Sequence, residues 1–242
     1  MTFVDRSRAV LAIGVLALWI GGTDAMLKYL RPSMRPWVLT AAFGLIAMGL
    51  YGMVRVRQLE PSATHHEKDV HQPKRSRVGW LLVLPIAVLI LFGPQPMGDF
   101  AIGATPNLPP YAFDIAAYAS RVGERQPQLR LADVLQGVKQ AGNRTYLATH
   151  DVVLIGFASS TGVAGRDSFV LTRFLISCCA ADAQPLSVTI VGASVVPEKN
   201  QWVEVAARYE PDASNGNKYG PVMRASSVKL IPEPKGPYES LR

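Results

Sequence analysis

The chain has only two cysteines, and they are neighbours: Cys178 and Cys179, inside RFLISCCAADAQP, from Arg173 to Pro185. Asp182 follows three residues later. Two thiols and a carboxylate are donor types that zinc accepts, and His150 could supply a fourth. Three other chemistries compete. A cysteine can simply fill a core. Neighbouring thiols can close a strained disulfide, which is easily reduced. A thiol nucleophile needs a base or a positive field beside it. Arg173 is the nearest cation in sequence but lies about 17 Å back along an extended strand. His150 is the only imidazole in the second half of the chain. The structural reading, with or without ligand binding, ranks first, metal second, disulfide third and thiol catalysis last. No Ser-His-Asp order is apparent, and the Gly-rich stretch SSTGVAGRD lacks the lysine of a phosphate loop. A second group of ligand types is HHEKDVH, with His65, His66 and His71 around Glu67 and Asp69. Imidazoles with carboxylates suit a divalent transition metal. A solvated polar linker explains the same residues and outranks a metal-collecting loop.

The elements that must position these residues divide the chain. Residues 1–94 carry three long apolar runs and 11 Lys/Arg against 5 Asp/Glu. Residues 95–242 are nearly neutral, with 14 against 13. The basic excess therefore flanks apolar runs and does not form the patch that a nucleic-acid-binding domain requires. Three spans are expected, at about 9–30, 37–54 and 78–96. In the first, Asp24 and Lys28 are four residues apart and would pair if the helix continued. The second carries Gly44, Gly49 and Gly52, residues that let helices approach closely in lipid. Pro85 would kink the third.

Charge then orients the spans. The N-terminus and loop 55–77 hold eight basic residues, and the opposite short loop holds Lys28, Arg31 and Arg35. Positive residues concentrate on the cytoplasmic side. The N-terminus and loop 55–77 are therefore expected in the cytoplasm, in a multi-pass protein of the cytoplasmic membrane. The C-terminal domain is expected outside, where a disulfide is permitted.

Within the second half, 94–128 reads as a Pro-rich linker and irregular segment, with five prolines in 94–110. Residues 129–140 show apolar positions at 131, 134, 135 and 138, the spacing of a helix ending at Ala141-Gly142-Asn143. Five strand-like runs follow, at 151–158, 168–178, 186–191, 201–209 and 222–231. Their size and number suit a small OB-like β-barrel domain over 129–242, with one preceding helix. Along the second run, period two places Cys178 with Phe174 and Ile176, and Cys179 on the opposite face. The two sulfurs would share a site only if the chain bent at Ala180-Ala181.

RFLISCCAADAQP, with GFAS before it and WVEV after it, resembles the YcgQ-like family of predicted permease subunits, as does LKYLRPSMRPW between the first two apolar runs. The resemblance implies a small membrane protein acting with a multi-span permease, and carries Tyr29, Arg31, Pro32, Arg173, Phe174, Cys178, Cys179, Ala181, Asp182 and Ala183. It supplies a partner and no chemistry. The expectation is a non-enzymatic accessory subunit: about three transmembrane helices in 1–93, and an extracytoplasmic domain binding a partner, a small molecule or a metal ion. Its candidate site is Arg173, Cys178, Cys179 and Asp182. The alternative is a thiol-based metal-transfer or redox protein using the two cysteines, with zinc as the metal.

Overall fold

The computed structural model describes residues 3–59, 108, 111–161, 164–214 and 217–240. The third apolar run, the histidine loop and most of the Pro-rich segment lie outside the described residues. The chain divides into two compact units, 1–95 and 96–242.

In the first unit, α1 (Phe3–Gly22) and α2 (Arg35–Leu59) form an antiparallel pair. Small residues line the contact at intervals of seven: Ser7, Gly14 and Gly21 on one helix, Ala42 and Gly49 on the other. Seven residues is close to two helical turns, so each set stays on one face. A Cβ on Gly49 would lie 2.9 Å from the backbone nitrogen of Leu11, and one on Gly14 would lie 2.9 Å from that of Ile46. Gly44, by contrast, meets nothing within 4 Å. Large apolar side chains face outward, among them Trp19, Trp37, Phe43, Met48 and Tyr51. Small inside and large apolar outside is the pattern of helices packed in lipid. Pro32–Arg55 is long and apolar enough to cross a membrane, whereas the apolar part of α1, Ser7–Gly22, is shorter. Among the described residues there is thus one candidate span where three were expected along the chain.

The expected continuation of the first helix to residue 30 does not occur. The α-helix stops at Gly22, and Asp24–Lys28 forms a short 3-10 turn. Arg35 explains the stop. Its guanidinium donates to the carbonyls of Gly21 (3.0 Å) and Thr23 (3.1 Å), which the end of α1 leaves without helical partners. Asp24 accordingly faces Arg35 at 3.9 Å in place of the expected Lys28.

The second unit is a closed five-stranded barrel: β1 (Val152–Thr161), β2 (Phe169–Leu175), β3 (Gln184–Val191), β4 (Trp202–Tyr209) and β5 (Val222–Leu230). The order around the barrel is β1-β2-β3-β5-β4, with β3 and β5 parallel and every other pair antiparallel. This is the expected OB-like arrangement. β1 closes the barrel by serving two neighbours. Its first half, Val152–Phe157, pairs with β4, and Phe157–Thr161 pairs with β2. Gly156 sits at the handover, where a Cβ would come within 2.6 Å of the Thr172 carbonyl oxygen. The interior is apolar and fully buried, as at Leu154, Phe169, Leu171, Val188, Ile190 and Val205.

Among the described residues, three short helices precede the barrel in this unit where one was expected. α3 (Ile115–Val122) lies inside the segment read as irregular. The Asp114 carboxylate caps it by accepting from the Ala117 amide (2.9 Å), and Gly123 ends it at φ 70°. The helix expected over 129–140 is α4 (Leu131–Gly137), and α5 (Ala141–Thr149) begins where a stop was expected. Asn143 is a buried tie inside α5, not a terminator. Its side chain accepts from the Ile115 amide (3.0 Å) and donates to the Phe113 carbonyl (2.6 Å). Ile115, Leu131, Val134 and Leu147 close the barrel core from this side.

Candidate metal centre

The site begins where β2 ends. The strand was expected to run to Cys178 but stops at Leu175, and β3 starts at Gln184, paired with Leu175. Residues 176–183 are therefore the loop of a hairpin. Period two does not apply there, which corrects the expectation that the two sulfurs point to opposite sides.

The Asp182 carboxylate folds the loop. A 3-10 turn over Ala180–Asp182 brings it back beneath the preceding amides. One oxygen, Oδ1, accepts from the Ser177 N–H (2.7 Å). The other, Oδ2, accepts from the N–H groups of Cys178 (2.8 Å) and Cys179 (3.2 Å). A short acidic side chain satisfying nearby backbone donors is a common turn device. Here it curls both cysteines around one carboxylate, and the bend at Ala180-Ala181 is real.

The two Sγ atoms are consequently 3.7 Å apart, and both thiols are free. Two thiolates bound tetrahedrally to one zinc ion at ~2.3 Å would stand about 3.8 Å apart. The sulfur pair is already at that spacing. One ligand atom from each of Cys178, Cys179 and Asp182 lies within 4.8 Å of the other two. A carboxylate oxygen bound to the same ion would sit about 3.6 Å from each sulfur, and the three ligand atoms already lie within 4.8 Å of one another. Cys178 is exposed, and Cys179 and Asp182 are half-buried. The cluster can coordinate a metal ion.

Its electrostatics are those of a proton-loaded site. Hydrogen bonding to the Asp182 carboxylate, then to Cys179, then slight burial push the Cys178 thiol up to about 11. Burial pushes Asp182 upward, but bonds from the Cys178 thiol and the three amides outweigh it and bring the carboxyl down to about 2. The carboxylate thus holds a proton on its neighbour's sulfur, and a metal ion must displace it.

The other expected site residues lie elsewhere. Arg173, on β2, donates to the carbonyls of Pro237 (3.2 Å) and Gly236 (3.0 Å) and stands over the Trp202 ring at 5.7 Å. Burial lowers its pKa, with Glu239 acting in the opposite direction. It holds the C-terminal tail. His150 follows α5, stacks on Tyr146 with ring centroids 4.2 Å apart, and lies in contact with the Thr149 hydroxyl (2.9 Å). It is not in the cluster. His65, His66 and His71 fall outside the described residues. Two features were missed in the sequence. The Asp182 cradle has a local signal, an aspartate within five residues of three amides. The tail at Glu239, which lies against the end of β2, has none.

Residues 132–239 match the family model described as the DUF1980 C-terminal domain, and the match includes the whole cluster. No curated protein matches the chain significantly.

Proposed function

We propose that the barrel domain binds a zinc-type metal ion through Cys178, Cys179 and Asp182 and passes it on. The observation that carries this reading is the pair of free sulfurs 3.7 Å apart on one exposed loop. Three protein donors leave a fourth position, which in a tetrahedral zinc site marks an exchangeable ion, not a purely structural one. Exposure of Cys178 leaves that position open to a donor from another molecule. Among the described residues, the charged group that acts on Cys178 is the Asp182 carboxylate, which opposes thiolate formation. Binding and transfer therefore fit the loop better than catalysis.

The setting is a membrane. The apolar outer face of the helix pair and the apolar run at 78–96 support multi-pass anchoring. The charge asymmetry supports an extracytoplasmic barrel. The resemblance to YcgQ-like permease subunits supports a multi-span permease as the partner that takes or gives the ion.

The test is zinc titration of the full chain in mild detergent with the thiols reduced. One ion per chain is expected, with binding lost in Cys178→Ser and in Cys179→Ser. Equal affinity in the wild type and both variants overturns the assignment.

A further inference from the structure

Within itself the metal loop is held by the Asp182 cradle and by the short 3-10 turn, closed by the Ala183 N–H on the Ala180 carbonyl (3.3 Å). What holds its base is the C-terminal tail. Residues 236–240 lie beside the end of β2, and Glu239 forms a parallel bridge with Leu175. The Glu239 N–H donates to the Phe174 carbonyl (2.8 Å), and the Ile176 N–H donates to the Glu239 carbonyl (2.9 Å). The very next amide, Ser177, is the first of the three that bind Asp182. The tail thus ends its grip where the loop begins.

The Glu239 side chain turns the other way and is 4 % exposed. It accepts from the amides of Leu131 (2.8 Å) and Ala132 (3.2 Å) at the start of α4. Arg130 and Arg173 bind tail carbonyls on either side, at Ser240, Gly236 and Pro237. A small apolar cluster completes the clamp. Phe157, Phe174 and Trp202 are covered by Tyr238 from the tail, by Ile231 at the end of β5 and by Ala183 from the metal loop. Tail and loop therefore share a backbone ladder and a packing site.

We infer that Glu239 is a positioning residue for the metal centre: by anchoring the tail to α4 it fixes the end of β2, and so the spacing of Cys178, Cys179 and Asp182. This inference rests on the metal-binding reading. Groups outside the ligand set that orient ligands commonly contribute 10- to 100-fold in affinity. Substitution leaves the N–H and C=O groups of residue 239 in the chain and removes only the side-chain anchor to α4.

The experiment compares wild type, Glu239→Ala, Glu239→Gln and Leu147→Ala, all as full chains in detergent and all below their melting temperatures. Leu147 is fully buried in the barrel core. Its truncation lowers stability without touching tail or loop. Zinc affinity is expected to fall about tenfold in Glu239→Ala, less in Glu239→Gln, which keeps one acceptor oxygen, and not at all in Leu147→Ala. The same set is alkylated without zinc, and Cys178 should react severalfold faster in Glu239→Ala only. Wild-type affinity in Glu239→Ala, or an equal loss in Leu147→Ala, overturns the positioning role. If the wild type binds no zinc, the metal reading fails by itself. Alkylation then decides the role of Glu239: equal rates in wild type and Glu239→Ala reject it.

Discussion

Replacing Asp182 by asparagine separates the two tasks the carboxylate performs. Asparagine keeps the shape and one carbonyl oxygen, so the bond from the Ser177 amide can persist. The second oxygen becomes an amino group facing the N–H groups of Cys178 and Cys179, and the negative charge is gone. The first consequence is on the thiol. Cys178 is raised from 9.0 to about 11, with the Asp182 bond as the leading cause. At about pH 8 that difference lowers the thiolate fraction roughly a hundredfold. A more basic thiolate is also a better nucleophile, with a Brønsted coefficient of about 0.5, which returns about tenfold. Asp182→Asn should therefore speed iodoacetamide alkylation of Cys178 by up to about tenfold, less whatever Cys179 and burial retain. The second consequence runs the other way. Zinc affinity should fall, because the loop that sets the sulfur spacing loses two of its three amide bonds. Alkylation timed by mass spectrometry, with fragment ions separating the two cysteines, and chelator competition measure the two effects on one sample. Slower or unchanged alkylation would refute the claim that the carboxylate holds the proton. Faster alkylation with unchanged zinc affinity would refute the claim that the cradle organises the site.

Other outcomes follow from the same structure. Because a metal ion must displace the Cys178 proton, apparent zinc affinity should rise about tenfold per pH unit for that proton between about pH 6 and 9. Calorimetry in buffers of different ionisation enthalpy reads the proton release. Asp182 is depressed from 3.8 to about 2, so its contribution is present above the ordinary value and lost as pH falls through about 2. The Ser177 and Cys178 amide resonances should accordingly hold their positions down to about pH 4 and move below it. Glu239 has the opposite sign: burial raises its pKa. Its contribution is largest below the ordinary carboxylate range and is lost as pH rises through the folded value. The melting temperature of wild type relative to Glu239→Gln should therefore be higher in mild acid than in mild alkali; an identical difference at both ends counts against burial of the charge. In the helix pair, Gly49→Leu places a side chain where even a Cβ lies 2.9 Å from the Leu11 nitrogen. Overpacking of that kind costs about 1–3 kcal/mol, and thermal aggregation of the detergent-solubilised chain should begin at lower temperature than in Gly44→Leu, whose site is open.

Local signals account for what was legible in the residues. All five strands were readable because buried β-segments need apolar runs, and turn residues such as PEKN and PDASNGN separate them. Their number and length suggested the OB-like barrel. The ligand types were readable as well, two cysteines and an aspartate within five residues, but they left four chemistries open and a structural role ranked ahead of a metal. Boundaries were less legible where a distant residue decides them. Arg35 ends α1 from 13 residues downstream of Gly22. Asn143, a plausible helix stop by type, is a buried tie because Phe113 and Ile115 come to it. α3 had its markers in Asp114 and Gly123, yet the preceding prolines obscured them.

For the metal centre, residue type was local and geometry was not. The amino-acid sequence by itself determined which atoms are offered: two sulfurs and a carboxylate on the chain between two strands, with no imidazole close in sequence. Alternation along a strand would have sent the sulfurs apart, and nothing in RFLISCCAADAQP says where the strand stops. Tertiary structure decided that. The tail takes the hydrogen bonds at Phe174 and Ile176, β3 begins only at Gln184, and the intervening residues are free to curl their amides onto Asp182. Two neighbouring cysteines become a pair 3.7 Å apart because backbone donors need an acceptor, and the nearest one is the carboxylate three residues on.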